Sequence, residues 1–215
     1  MLVDGEGMKK LVDFFHSGTK LSYKKGEYII RPGEIPSSVF YIEDGLVKAF
    51  NISKYGEENL LIIRKSHEIF PLIWTLTNQE RGIIYQSLSP ATVWKVEHSN
   101  FINHTQKNPA ILPPFLDMVT EMYRLHSERI LNLAYRTVRE RLVSFLLTMA
   151  GRFGKKIDGH ILIDAPLRHQ DIASSINASR ETASRELAYL ERKGLIDTKQ
   201  SYITIKNKEA LQNYL

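Results

Sequence analysis

The chain has 215 residues, 43% hydrophobic and 25% charged, an ordinary globular composition with room for one large domain or two small ones. It has no cysteine, which excludes disulfides, cysteine-ligated zinc, iron–sulfur clusters and thiol chemistry together, and no apolar run nears the roughly 20 residues of a membrane helix. The net charge of +5 lies wholly in residues 136–215, with 14 Lys/Arg against 9 Asp/Glu; residues 1–135 balance at 15 each. A basic module attached to a neutral one suits an acidic partner, usually nucleic acid, with a chance imbalance as the alternative.

The N-terminal "MLVDGEGMKKLVDFF" has no apolar stretch after a basic one, which argues against a signal peptide and for a cytoplasmic location, with no membrane partner. From Leu21 to Phe101 the pattern is β. Runs such as "EYII", "SVFYI", "LVKAFNI", "NLLII", "GIIYQSL" and "TVWKV" are separated by the turn signals Pro32-Gly33, Asp44-Gly45, Tyr55-Gly56 and Ser89-Pro90. Short strands at this spacing predict an antiparallel sandwich or barrel.

After "NPAILPPF", whose Pro113 and Pro114 can start a helix but not continue one, a long helix is predicted from about Phe115 to Tyr135. Leu116, Val119, Tyr123, His126, Ile130 and Leu133 alternate at spacings of three and four. Such a stripe serves either as a homodimer seam or as the face a helix lays on its own domain. A second amphipathic helix, "RTVRERLVSFLLTMAGRFG", buries Val138, Leu142, Phe145, Leu146 and Met149, with Gly151 and Gly154 ending it.

Three compact elements follow: helices over Leu167–Ile176 and Arg180–Lys193, then a β-hairpin in "LIDTKQSYITIKN". Only Asn177, Ala178 and Ser179 separate the helices. So short a turn needs a left-handed residue, which asparagine tolerates, and Ser179 suits the next N-cap. With Ala183, Leu187 and Leu190 turned inward, Glu181, Ser184 and Arg185 point outward and Arg180 sits on the exposed first turn. A second helix so placed offers its N-terminal residues to the major groove. Arginine can bond guanine O6 and N7, and glutamate can accept from cytosine N4, so the mixed charge suits base reading. A solvated surface pair of helices is the alternative.

Catalytic motifs do not compete with this reading. There is no Gly-x-Ser-x-Gly, His-Glu-x-x-His or P-loop; "GEGMKK" lacks a preceding strand and a third glycine; the seven histidines show no metal-ligand spacing. No enzyme activity, metal or cofactor is expected, and no histidine stands out as a haem ligand. A pure protein-interaction module with a vestigial helix–turn–helix is the remaining alternative, separable by the salt dependence of DNA binding.

"LRHQDIASSINASRETASRELAYLERKGLI" resembles the winged-helix signature of the Crp–Fnr family of bacterial transcription regulators, "SRET…R" being its most specific part. The resemblance runs over nearly the whole chain. It implies an α+β architecture: a cyclic-nucleotide-binding-like β-roll over residues 1–107, a dimerisation helix over 108–135 and a winged helix–turn–helix over 136–215. It implies base reading at Arg180, Glu181 and Arg185, and backbone or flanking contacts at His169, Gln170, Ser179 and Thr182, with Ser184 beside them. The implied partners are a near-palindromic double-stranded operator, a second copy of the chain and RNA polymerase.

The sensor half departs from that family's phosphate cassette. Where the pattern has glycine amides, a ribose-binding glutamate and an Arg-Ser/Thr pair, this chain has "HEIFPLIWTLTNQERG". Arg81 is kept. Pro71 replaces a glycine and has no amide hydrogen, Leu72 replaces the glutamate and Gly82 replaces the hydroxyl residue. Cyclic nucleotide is therefore not expected as the effector. The candidate pocket comprises Phe70, Pro71, Leu72, Trp74, Arg81 and Gly82, with His126 and Ser127 from the long helix; core packing accounts equally well for Phe70 and Trp74, and seam packing for His126.

Overall fold

The structure, a computed structural model, describes residues 5–215. The first four residues of the N-terminal stretch and of the 1–107 segment lie outside the described residues. Two compact units are formed: residues up to Asn51 with Leu61–His126, and Ile52–Leu60 with Ser127–Leu215.

The first unit opens with helix α1 (Gly5–His16), where no helix was predicted. Its glycine at position 7 permits close packing, because a Cβ there would collide with the Ala110 carbonyl. Eight strands follow: β1 (Thr19–Tyr23), β2 (Tyr28–Ile30), β3 (Ser38–Asp44), β4 (Val47–Ile52), β5 (Glu58–Arg64), β6 (Ile69–Phe70), β7 (Ile84–Ser87) and β8 (Ala91–Glu97). A short helix α2 (Leu72–Thr77) lies between β6 and β7, and α3 (His98–Lys107) follows β8. The strands make two four-stranded sheets, ordered β1-β8-β3-β6 and β2-β7-β4-β5. The predicted runs each correspond to a strand; β1 and β6 are additional. Gly45, at φ +93°, makes the tight β3–β4 turn that the Asp44-Gly45 signal predicts.

β3 shows why this half reads as β without a clean alternation. Side chains alternate across a sheet. Phe40 and Ile42 enter the core that also holds Ile30, Val47, Phe70, Tyr85 and Val93. Val39 and Tyr41 enter a second core with Leu11, Phe15, Phe101 and Phe115 from the helices. Both faces are covered, so five consecutive residues of β3 are buried.

A 3-10 turn (Pro109–Ile111) leads into α4 (Leu112–Tyr135), which starts three residues earlier than predicted and carries both prolines in its first turn. α5 (Val138–Phe153) begins at a capping box: Thr137 receives the Glu140 amide, and Glu140 receives the Thr137 amide at 2.7 Å. It runs through Gly151 and stops only at Gly154, so the expectation that both glycines end it is corrected.

The second unit also contains β9 (Gly154–Ile157), β10 (His160–Ile163), α6 (His169–Ser175), α7 (Arg180–Arg192), β11 (Ile196–Lys199), β12 (Tyr202–Ile205) and α8 (Lys208–Gln212). The predicted β11–β12 hairpin is half of a four-stranded sheet, ordered β11-β12-β10-β9. The β9–β10 hairpin was missed although Asp158-Gly159 is a strong two-residue turn signal; both residues have positive φ. The core joins Leu142 and Leu146 of α5, Ile163 of β10, Ile172 of α6, Leu187 and Leu190 of α7, and Ile203 and Ile205 of β12, all buried.

Candidate nucleic-acid interface and sensor cavity

The turn between α6 and α7 follows from Asn177. It has φ +49°, the left-handed conformation its position demands. Ala178 donates to the Ala173 carbonyl at 3.0 Å and Asn177 to that of Ser174 at 3.4 Å. These are the two bonds of a Schellman motif, so the end of α6 is closed by its own backbone. Ser179 then caps α7, its hydroxyl receiving the Thr182 amide at 3.1 Å. At the far end Gly194, at φ +71°, repeats the device: Leu195 donates to the Leu190 carbonyl at 3.1 Å. A side-chain cap at its start and a backbone turn at its end thus fix the length of α7.

Packing fixes its rotation. Ala183, Leu187 and Leu190 are buried, whereas Arg180, Glu181 and Arg185 are exposed. His169, in the first turn of α6, shares a 2.7 Å hydrogen bond with Ser184 of α7 through Nδ1, tying the two helices together. Gln170 is exposed beside it. On the opposite flank Arg139 of α5 donates to Glu186 at 2.6 Å and lies 3.7 Å from the Tyr189 ring centre. All eight sequence-predicted interface residues lie on α6, the α7 cap or α7 itself, and His169 and Ser184 meet directly.

The exposed heads are locally ordered. Arg185 donates to the Thr182 hydroxyl at 3.1 Å. The Glu181 carboxyl is held below the usual carboxylate range by its own backbone amide first and the Ser179 hydroxyl next, with Arg180 and Arg185 adding their charge. Glu181 is therefore an acceptor only, between two donors, at the positive end of a helix.

Arg129 is a further residue of this region, outside the set expected from sequence. From α4 it donates to the Leu60 carbonyl at 2.7 Å, the Asn59 side-chain oxygen at 3.0 Å and the Ser174 carbonyl at 3.1 Å. Leu60 in turn donates to the Ser174 hydroxyl at 3.1 Å. One arginine thus pins residues 59 and 60 to α6. Burial pulls its pKa down, and three oxygen acceptors keep it charged. Its position in "SERILNLAY" beside the apolar stripe carries no signal of this role.

The first unit contains a cavity of about 150 Å³. Pro71, Leu72, Trp74, Arg81, Gly82 and His126 line it, as expected from sequence. Two expected members do not. Phe70 is fully buried in the core, stacked on Phe40 and Tyr85 with ring centres 5.1 and 4.7 Å away, because its strand turns that side chain between the sheets. Ser127, half-buried on α4, is not among the lining residues. Arg64 and Tyr85 line the cavity and were missed, since nothing in "LLIIRK" or "IIYQ" distinguishes a cavity wall from a core strand. Among the described residues no cluster of His, Asp and Glu could hold a metal ion, and no helix is long and apolar enough to cross a membrane.

Comparison with known proteins agrees with this geometry. Residues 140–214 match the Crp-like helix-turn-helix domain and residues 20–108 the cyclic nucleotide-binding domain. The chain is 28% identical to the global nitrogen regulator of Synechococcus elongatus, covering 88% of this chain and 86% of that protein. It is 22% identical to the fumarate and nitrate reduction regulatory protein of Yersinia pestis, covering 89% and 76%. Among solved structures, a CooA variant from Carboxydothermus hydrogenoformans superposes with a TM-score of 0.78 at 21% identity, covering 94% and 89%. FixK2 from Bradyrhizobium japonicum does so with 0.76 at 21%, covering 92% and 96%. An α+β chain that joins a β-roll to a winged helix–turn–helix, with this recognition helix and these relatives, is a member of the Crp–Fnr family of DNA-binding transcription regulators.

Proposed function

We propose that the chain acts as a homodimer whose two α7 helices enter successive major grooves of a near-palindromic operator, about 34 Å apart. The observation that carries this reading is the ionised Glu181 held between Arg180 and Arg185 on the exposed first turns of α7. A helix that bound only phosphate would place no carboxylate there; one that reads a G·C pair uses both signs. His169, Gln170, Ser179, Thr182 and Ser184 set the helix against the backbone.

The dimer reading rests on α4. Leu116, Tyr123 and Ile130, seven residues apart, are 52%, 73% and 65% exposed. A row of large apolar side chains at heptad spacing is the face a second copy of the same helix would cover. Val119 has a different role, since it packs against the core of the first unit.

The chain works in the cytoplasm, has no catalytic activity, and uses neither an iron–sulfur cluster nor another bound cofactor. RNA polymerase is the partner through which a DNA-bound dimer would act. The sensor does not answer to cyclic nucleotide. Pro71 stands where a phosphate would seek an amide hydrogen, and Leu72, where a ribose hydroxyl would seek a carboxylate, is 1% exposed in an apolar core. In vitro selection of DNA sites with purified protein tests the whole reading. A palindrome should emerge, and its affinity should fall steeply as salt rises. Failure to enrich any site, or salt-independent binding, sinks it.

A further inference from the structure

Arg64, the last residue of β5, is 3% exposed. One side of its guanidinium has an oxygen partner: Nη1 lies 3.3 Å from the Glu68 carboxylate. The Nε and Nη2 hydrogens form a second edge, pointing the same way in the rigid fork. On that edge Nη2 donates to the Met122 sulfur at 3.2 Å, and Nε has no acceptor among the described residues. A thioether is a weak acceptor, so a buried cation keeps one whole edge short of an oxygen.

Met122 is half-buried on α4 and lines the β-roll cavity. The cavity, about 150 Å³, is several times a water's share of liquid volume, so a molecule as small as hydrogen peroxide can enter it. The chain has no cysteine, which leaves methionine as its only sulfur. Met8 and Met118 pack against the helical core of the first unit, and Met149 is 6% exposed in α5.

We propose that Met122 is a reversible oxidation site whose sulfoxide oxygen is received by the Nε–Nη2 edge of Arg64. A sulfur lone pair attacks one oxygen of hydrogen peroxide. The S–O bond forms as the O–O bond breaks, and the departing hydroxide takes the proton of the transferred oxygen and leaves as water. The sulfur is oxidised by two electrons and the peroxide is reduced by two. Arg64 is placed for both stages. Its charge stands beside the oxygen that gains negative charge, and its unserved edge then holds that oxygen. The unbranched methionine chain lets the sulfur back away to make room. A sulfoxide in an apolar core disrupts packing, whereas here the new oxygen meets a buried cation; methionine sulfoxide reductases restore the thioether. The assignment stands on Arg64 and Met122 alone, whatever effector the cavity takes.

Treatment of the full chain with hydrogen peroxide, followed by digestion and mass spectrometry of the peptides, tests this. Met122 should gain one oxygen ahead of Met8, Met118 and Met149. A sulfoxide is chiral at sulfur, and each of the two reductase classes removes one epimer. A donor edge fixed on one side of the sulfur should favour one epimer at Met122 by about threefold or more, a modest share of what one charge-assisted hydrogen bond supplies. A methionine that is merely exposed to solvent gives the two in near-equal amounts. Applied separately to the peptides, the two reductases read the ratio. In the intact protein, oxidation should lower the melting temperature of Arg64→Leu by about 3–6 °C more than that of wild type, the scale of one charge-assisted hydrogen bond in a chain of this size. Equal epimers at Met122, oxidation there no faster than at Met8 and Met118, or the same melting shift with and without Arg64 overturns the proposal. The rates and the epimer ratio are read on the wild-type chain, so they decide the matter even where Arg64→Leu fails to fold.

Discussion

The helix–turn–helix and the β-roll place their polar groups in opposite ways. In the helix–turn–helix, Arg180, Glu181 and Arg185 face outward from a helix whose apolar side is buried, and a serine cap at one end and a backbone turn at the other hold that helix. In the β-roll, Arg64 and Tyr85 face inward, among residues that otherwise read as core. An exposed working face is the complement of a buried face, so periodicity reveals it. A working cavity interrupts a buried face, and no periodicity marks the interruption.

The contrast can be tested from its strongest point downward. Leu187 holds α7 to its core, so Leu187→Ala should cost about 2–5 kcal/mol, read from the shift in denaturant midpoint. DNA affinity should then fall for every sequence alike, because the working face loses its support. Wild-type stability in this variant would mean that α7 is not positioned by its buried stripe.

Next comes Arg129→Met. It leaves the Leu60 and Ser174 carbonyls without their partner and should cost about 1–3 kcal/mol. Hydrogen exchange should quicken at residue 60 and around 174. Arg180→Ala and Arg185→Ala act differently, each weakening binding by about 1–3 kcal/mol at one base position and leaving the melting temperature near wild type. Selection of sites with each variant separates lost specificity from lost affinity.

Ser179→Ala removes the cap of α7 and should cost about 1 kcal/mol. The smallest effect is electrostatic. Glu140, held low chiefly by the Thr137 hydroxyl and amide, and Glu181, held low chiefly by its own amide, both have folded pKa values below the free glutamate value of about 4.3. The stability they contribute is therefore present above that value and is lost as pH falls from there through the folded values. Glu181→Gln should flatten the acid limb of a stability–pH curve slightly, and Glu140→Gln should do so as well. An unchanged acid limb in both would show that these bonds do not distinguish folded from unfolded chain.

Much of the C-terminal unit is legible in the residues themselves. Asn177 adopts the left-handed turn that three residues between two helices require, and Ser179 caps as a serine before such a helix should. Two extra strands escaped despite the Asp158-Gly159 signal, because "GKKI" shows no alternation and all four of its residues are exposed. In the β-roll the strands are legible because β-branched and aromatic residues cluster between turns, but their roles are not. Phe70 and Trp74 stand four residues apart in one motif, yet the first is core and the second a cavity wall.

The features legible in the residues alone are local: the caps, the turns, the amphipathic stripes and the charge signs carried outward on α7. These follow from bonds and spacings within a few residues, so they survive without knowledge of the rest. The features that emerge on folding are long-range: that Arg129 reaches residues 59, 60 and 174 at once, that Val119 packs while Tyr123 stays exposed, and that Arg64 and Arg81 share a cavity with Tyr85. Each depends on segments distant in the chain meeting in space, and the free energy of burying them together is written in no single stretch of residues.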